Sequence, residues 1–329
     1  WNIEGYTKLG FRLPKVSGYV GLRIAGEDRK GSLGGGLGDF FRSGSELLTS
    51  ASLRYAPARD HELSLTHSSS YTRPSYRDLL GYTSVASAAF LRKGNSELRT
   101  SYRRGLSLNY TYMRAAQLEL SYTDTEDPIV EAMPPMLGGG LVLRRYNLDY
   151  SRTLRALLVL PLPLVSQKKF SWLALTILAA QRQWDAGRIE TNDYSAALNT
   201  QFVQHRHSFS LPSDWTVDLG VTYYSGVLYE LYRIQRQWWI DASVSKRMGN
   251  LRATLSARDP FNTNIARGSY NLDVPPLAFE RNWHSPRLEL TISYSWGKKS
   301  VKAQDTRARY DDLKRLTTGA SEGMNTPAQ

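Results

Sequence analysis

The sequence predicts an all-β chain, a transmembrane antiparallel β-barrel, and three observations carry that reading. First, segments of about ten residues alternate apolar and polar side chains, the period of a strand with one dry and one wet face. From Arg287 to Trp296 (RLELTISYSW), Leu288, Leu290, Ile292, Tyr294 and Trp296 share one parity; Glu289, Thr291, Ser293 and Ser295 share the other. Second, short and long connections take turns along the chain, as they do when the tight turns lie on one side of a membrane. Third, 20 Tyr and 8 Trp stand against 9 Phe, a bias toward aromatics that suit a surface with a dry and a wet side. A soluble sandwich would show shorter strands, with turns every ~8–12 residues.

A first strand from Trp1 to Leu13 and a turn over Pro14–Ser17 lead to a second from Gly18, with Val20, Leu22 and Ile24 on its dry face. Gly31–Gly38 (GSLGGGLG) reads as a flexible loop, because a phosphate cradle needs a strand–loop–helix context that is missing. Leu47, Ala51, Leu53 and Tyr55 mark a third strand, Ala56–Asp60 a tight turn, and Leu63 and Leu65 a fourth strand running into His67–Ser70. Pro74–Asn95 is a long loop, of a length that usually serves function. Leu106, Leu108, Tyr110 and Tyr112 follow, then a turn at Met113–Ala116 and the face Leu118, Leu120 and Tyr122. Asp127–Gly140 is a second long loop, after which Val142, Tyr146, Leu148 and Tyr150 return. Phe170–Ala180 is apolar on both faces, which leaves strand and short helix both open. A turn around Asp185–Gly187 precedes Tyr194, Ala196 and Leu198; Trp215 to Tyr223 is the next clear face. Tyr232 to Val244 reads as one strand whose dry side Arg236 breaks; Met248–Asn250 turns into Leu251, Ala253, Leu255 and Ala257, and Asp259 opens a loop before the closing strand. The series amounts to about 13 strands. Residues 1–298 are expected to form the barrel, and the polar residues 299–329 a charged periplasmic tail.

Composition narrows the function. The 329 residues lack cysteine, which removes disulfides and thiolate metal sites. A net charge of +12 raises nucleic acid as a partner, but the basic residues are scattered along strands and loops rather than clustered on a helix, so no nucleic acid is expected. Basic loops beside anionic lipid, or a basic lumen, account for them. The most apolar run, Leu154–Val165, is too short for a membrane helix and carries two prolines. Trp1 begins mid-pattern with no leader ahead of it, which suggests a cleaved leader or a longer chain.

Three groups of residues are of types that carry chemistry. His205 and His207 share a strand face and could hold a metal, but His-Arg-His in a polar turn without a third ligand reads as solvated. Asp124, Glu126 and Asp127 could hold Ca²⁺ and read better as a solvated loop. Ser68–Ser70 beside His67 lack a nucleophile elbow. No carboxylate pair can be placed from sequence. No catalytic, cofactor or metal residue is assigned, and no enzyme is expected.

The stretches SYTRPSYRDLLGY (Ser70–Tyr82), GNSELR (Gly94–Arg99) and LSLNYTY (Leu106–Tyr112) resemble the barrel of TonB-dependent outer-membrane receptors, in particular an outer membrane beta-barrel branch common in Bacteroidota. SLPSDWTVDLGVTYYSG (Ser210–Gly226), DPFNTNIARG (Asp259–Gly268) and SYSWGKK (Ser293–Lys299) extend the resemblance, which covers about residues 45–316. Leu79–Tyr82 departs from the branch's Leu-Asn-Pro-Phe element, and Ser96-Glu97 stands where a proline is usual. The resemblance implies substrate uptake across the outer membrane of a Gram-negative cell. It implies contact with outer-membrane lipids and lipopolysaccharide, and with TonB only through a plug region not found in this sequence. The chain would then be the later part of a barrel of about 22 strands. The alternative it implies is a non-transporting scaffold docked to a surface lipoprotein or another outer-membrane barrel.

Overall fold

A computed structural model describes residues 2–31, 40–81, 83–87, 90–133, 141–167, 169–270, 278–282 and 286–296. In chain order its elements begin β1 (Asn2–Arg12), β2 (Val16–Gly31), β3 (Phe40–Ala58), β4 (His61–Thr72), the single-turn helix α1 (Tyr76–Leu79), β5 (Thr83–Ser87), β6 (Phe90–Lys93), β7 (Ser101–Tyr112) and β8 (Ala116–Glu126). β9 (Ile129–Ala132), β10 (Leu141–Asn147), β11 (Tyr150–Ser166), β12 (Ser171–Ile189), β13 (Asn192–Leu211) and β14 (Trp215–Tyr224) follow. The last are β15 (Val227–Tyr229), β16 (Tyr232–Ile234), β17 (Gln237–Met248), β18 (Leu251–Arg258), β19 (Ile265–Tyr270), β20 (Ala278–Asn282) and β21 (Arg287–Tyr294).

Thirteen strands make one sheet in the order β1-β2-β3-β4-β7-β8-β11-β12-β13-β14-β17-β18-β21. Neighbours along it are antiparallel, and β1 and β21 are its edges. Two smaller sheets, β5-β6-β10-β9 and β15-β16-β19-β20, stand at one end of it. The end opposite them carries the short turns, such as Arg59–Asp60, Met113–Ala115 and Gly249–Asn250.

Register keeps the dry parity on one side of the wall. Tyr110 pairs with Leu118, Leu118 with Leu158, and Leu158 with Leu178. The dry row continues where Phe209 faces Val217, Val217 faces Val244, Val244 faces Leu255 and Leu255 faces Leu290. These side chains are largely exposed, which is the reverse of a soluble core. With about 3.3 Å per residue, strands about 4.8 Å apart and a tilt near 40°, height changes by roughly 2.5 Å per residue along a strand and roughly 3 Å from strand to strand. The sense of tilt that lines up Tyr112, Trp172, Trp215 and Trp296 puts Trp184, Tyr223 and Trp238 in a second belt roughly 20–30 Å away. Two aromatic belts with a dry band between them are the profile a bilayer imposes.

The structure corrects several expectations. The loop Pro74–Asn95 contains α1, β5 and β6, and Asp127 onward contains β9. The return from Val142 to Tyr150 is two strands, because β10 leaves the wall to pair with β6 and β9. The segment over Phe170–Ala180 is strand β12, apolar on both faces because its wet-side residues Leu175, Ile177 and Ala179 pack with Val159 and Phe202. Asp185–Gly187 is not a turn; β12 runs on to Ile189 and turns at Glu190–Thr191. A Cβ on Gly187 would stand 2.6 Å from the Leu148 Cα and the Asp149 nitrogen, so its glycine serves a crossing chain. Tyr194 and Ala196 are buried on the wet side, beneath the smaller sheets, rather than on the dry face. The strand from Tyr232 is broken at Gln235–Arg236 into β16 and β17, and the loop from Asp259 contains β19 and β20. Val16, Ser17, Ala56–Ala58 and Ala116 belong to strands rather than turns. The glycine-rich stretch 32–38, Trp1, His284 and the tail 299–329 lie outside the described residues.

Candidate functional site

The wet side of the wall and the layer of small sheets at its long-loop end form the candidate site. Along most strands the wet parity is polar: Ser107 and Asn109, Glu119 and Ser121, Gln204 and Arg206, Asp218, Asp241 and Ser243. Gln204 Nε2 donates to Thr222 Oγ1 at 3.3 Å, and Ser243 Oγ to Asp218 Oδ2 at 3.2 Å. The polar parity is interrupted by the apolar cluster of Val159, Leu175, Ile177, Ala179 and Phe202, with Leu157 and Tyr224 against it. Sequence parity alone missed this patch, although the double apolarity of Phe170–Ala180 was its signal.

At the long-loop end the chain builds a second core. Val130, Ala132, Met133, Tyr146, Leu148, Ile189, Tyr194, Leu228, Leu231 and Tyr270 pack together from β9, β10, the β12–β13 hairpin, β15 and β19. Polar links tie these segments across long sequence distances. The Met133 N–H donates to the Tyr270 hydroxyl at 2.7 Å, and the Glu131 N–H to Glu230 Oε2 at 3.0 Å. Tyr146 donates its hydroxyl proton to Glu190 Oε1 at 2.7 Å, and Arg92 pairs with Glu131 at 2.7 Å. Burial pushes the Tyr270 phenol up to about 12 and lifts Tyr146 above the ordinary phenol range. Burial, with the Glu131 carboxylate adding to it, raises Glu230 as well. Such a layer is held in one shape by its core and by these long-range links.

The stretches Ser70–Tyr82 and Gly94–Arg99 build the anchor of this layer. Arg73 sits between two buried carboxylates, with Nε 2.9 Å from Glu27 and Nη2 2.6 Å from Glu46. Arg29 closes on Glu27 at 2.6 Å, and its Nη1 donates to the Pro74 carbonyl. Ser75 caps α1, accepting from the Asp78 N–H at 3.2 Å. Gly94 passes so near Leu80 that a Cβ would lie 1.7 Å from its carbonyl oxygen. Asn95 then donates from its backbone to the Asp78 carbonyl and from its side chain to the Arg145 carbonyl. Leu79 and Leu98 close the small core beneath. In Asp259–Gly268, buried Asp259 accepts from the N–H groups of Thr263 and Asn264 at 2.8 and 3.0 Å.

The residues weighed for chemistry are accounted for by other contacts. Asp124 pairs with Arg152, Glu126 lies 3.6 Å from Arg104, and Asp127 pairs with Arg99. His205 and His207 lie in β13, not in a polar turn, and on its dry side. His205 meets Thr176 Oγ1 at 2.8 Å, and His207 accepts from Trp172 Nε1 at 2.9 Å. His67 is within 2.9 Å of Thr49 Oγ1. No group of three metal-binding side chains occurs among the described residues.

Residues 2–294 match the model of the outer membrane protein beta-barrel family. No curated protein sequence matches the chain. Among solved structures, a mutant of the ferric enterobactin receptor PfeA of Pseudomonas aeruginosa, in complex with enterobactin, superposes with a TM-score of 0.53 at 13% identity, over 88% of this chain and 53% of that one. A second PfeA mutant gives 0.46 at 12% identity, over 81% and 48%. At such identity the first likeness is one of fold, and this chain spans about half the receptor's length. The chain belongs to the outer membrane protein beta-barrel family, so its dry band faces the lipid of the outer membrane.

Proposed function

We propose that this outer-membrane barrel protein is the wall and mouth of a receptor that takes up a substrate across the outer membrane, and that it is not an enzyme. The packed layer of β9, β10, β15, β16 and β19 over the wet side carries the reading, because a passive pore has no need of a mouth held by a second core. The PfeA structure holds enterobactin on a similar fold, which supports a receptor role. In this reading the short-turn end faces the periplasm, residues 1–298 are wall and residues 299–329 are a periplasmic tail. In a receptor of this kind a plug and a TonB-contacting segment gate the passage that such a wall encloses.

The test compares a strain lacking the gene with its parent. Accumulation of ferric enterobactin, other metal chelates and oligosaccharides too large for porins is measured with and without a proton uncoupler. Loss of one uncoupler-sensitive uptake supports the reading. Unchanged uptake of every probe, with a lipoprotein or second barrel co-purifying in mild detergent, replaces it with a scaffold role.

A further inference from the structure

The lipid-facing parity carries arginine at one level. Arg104 of β7, Arg152 of β11 and Arg182 of β12 all sit on the dry side, since Arg104 faces Asp124, Asp124 faces Arg152, and Arg182 faces Leu154. The tilt that aligns the lower aromatic belt places these three at roughly 20–27 Å above it, the far edge of an apolar band about 25 Å tall. Tyr122, Tyr150 and Trp184 share that side and that rim. Two of the cations have carboxylates: Arg152 Nε is 3.0 Å from Asp124, and Arg104 is 3.6 Å from Glu126. Arg182 has none among the described residues; its guanidinium lies 5.2 Å from the Trp184 ring. A cation on the lipid side of a barrel is costly unless an anion or water meets it. Hydrocarbon lies below Arg182 and lipid headgroups lie beside it, so the headgroup layer is the source of that anion.

We infer that Arg182, with Arg152 and Arg104, forms a binding site for a phosphorylated lipid of the leaflet on the long-loop side. The phosphate seats on the guanidinium face of β11 and β12, and the acyl chains lie along Leu154, Leu178 and Leu118 below. Arginine matches this task through its planar fork, which takes phosphate oxygens in pairs. The site is independent of what the barrel transports.

The test uses the full-length protein extracted in mild detergent, stripped of lipid and titrated by native mass spectrometry. The probes are diphosphoryl lipid A, dephosphorylated lipid A, phosphatidylglycerol and inorganic phosphate. Diphosphoryl lipid A is expected to bind about tenfold or more tighter than its dephosphorylated form, and Arg182→Gln to erase that difference. Arg182→Lys, which keeps the charge, should retain part of it, and lumen-facing Arg206→Gln should retain it whole. Heat-modifiable migration on a gel verifies that each variant is folded. Equal binding of the two lipid A forms, or an unchanged preference in folded Arg182→Gln, overturns the site. Full displacement of lipid by millimolar inorganic phosphate, or preference for phosphatidylglycerol over lipid A, overturns the assignment to this leaflet.

Discussion

Replacing Arg73 by methionine tests the anchor of the outer layer. Methionine keeps an unbranched apolar stem and lacks the guanidinium, so the change removes the charge and its two carboxylate contacts together. Arg73, Glu27 and Glu46 have side-chain exposures of 6%, 8% and 5%, so water does little to screen them. Without Arg73, Glu27 keeps Arg29 at 2.6 Å, whereas among the described residues Glu46 keeps only the Tyr102 hydroxyl at 3.4 Å. Removing one partner of a buried ion pair costs about 3–5 kcal/mol, because the other charge is left in a poor solvent. The amides of Leu79, Leu80, Asn95 and Leu98 are bonded within the loop that Arg73 begins, so local opening exposes them together. At about 1.4 kcal/mol per decade, their hydrogen exchange should accelerate by roughly two to three and a half orders of magnitude, up to the limit set by free opening. Amides in the β12–β13 hairpin should not change. The pair Arg73→Met with Glu46→Gln should recover most of the protection, since the orphaned charge is gone. If exchange in the loop stays within about threefold of the parent, the range of an ordinary surface change, the clamp is not what holds it.

Gly94→Ala should loosen the same loop without touching any charge, because its methyl meets the Leu80 carbonyl; accelerated proteolytic nicking between residues 74 and 98 is the readout. Glu230→Gln tests the raised carboxyl: a folded pKa above the ordinary 4.5 favours the fold below that value and is lost as pH rises through the raised one. The variant should therefore equal or exceed the parent in outer-layer protection at neutral pH and match it below pH 4.5, as exchange at two pH values will show. Leu178→Arg, on the dry side about 15 Å above Trp172, should cost about 2–4 kcal/mol of stability in bilayers, and lumen-side Gln204→Arg much less. Equal costs in urea titrations would reverse the assignment of the two faces.

The wall was legible in the sequence because a bilayer forces one parity to stay dry over every crossing. Leu106–Tyr112 and Trp215–Tyr223 each announce a strand unaided. The outer layer was not legible, because β9, β15 and β16 are three or four residues long, too short for an alternation to be read. Tyr194 and Ala196 misled for a related reason: above the membrane the greasy parity switches to the wet side, where the small sheets cover it. The Arg73 clamp joins residues 27 and 46 positions apart in sequence, and no local pattern reports such a pairing. The motif around it is recognisable by resemblance, yet its physical reason, two buried glutamates on other strands, lies in the tertiary packing. Gly187 shows the same limit, since a glycine that makes room for a passing chain looks in sequence like one that makes a turn.

The β12–β13 ribbon stands well clear of the bilayer, its tip at Glu190–Thr191 roughly 45 Å above Trp172 by the same geometry. It works as a mast: Ile189 and Tyr194 near its top are the surfaces against which the surrounding segments furl. The vestibule therefore inherits its outline from a piece of the wall itself. Cutting the mast short would leave the crossings in place and the entrance shapeless.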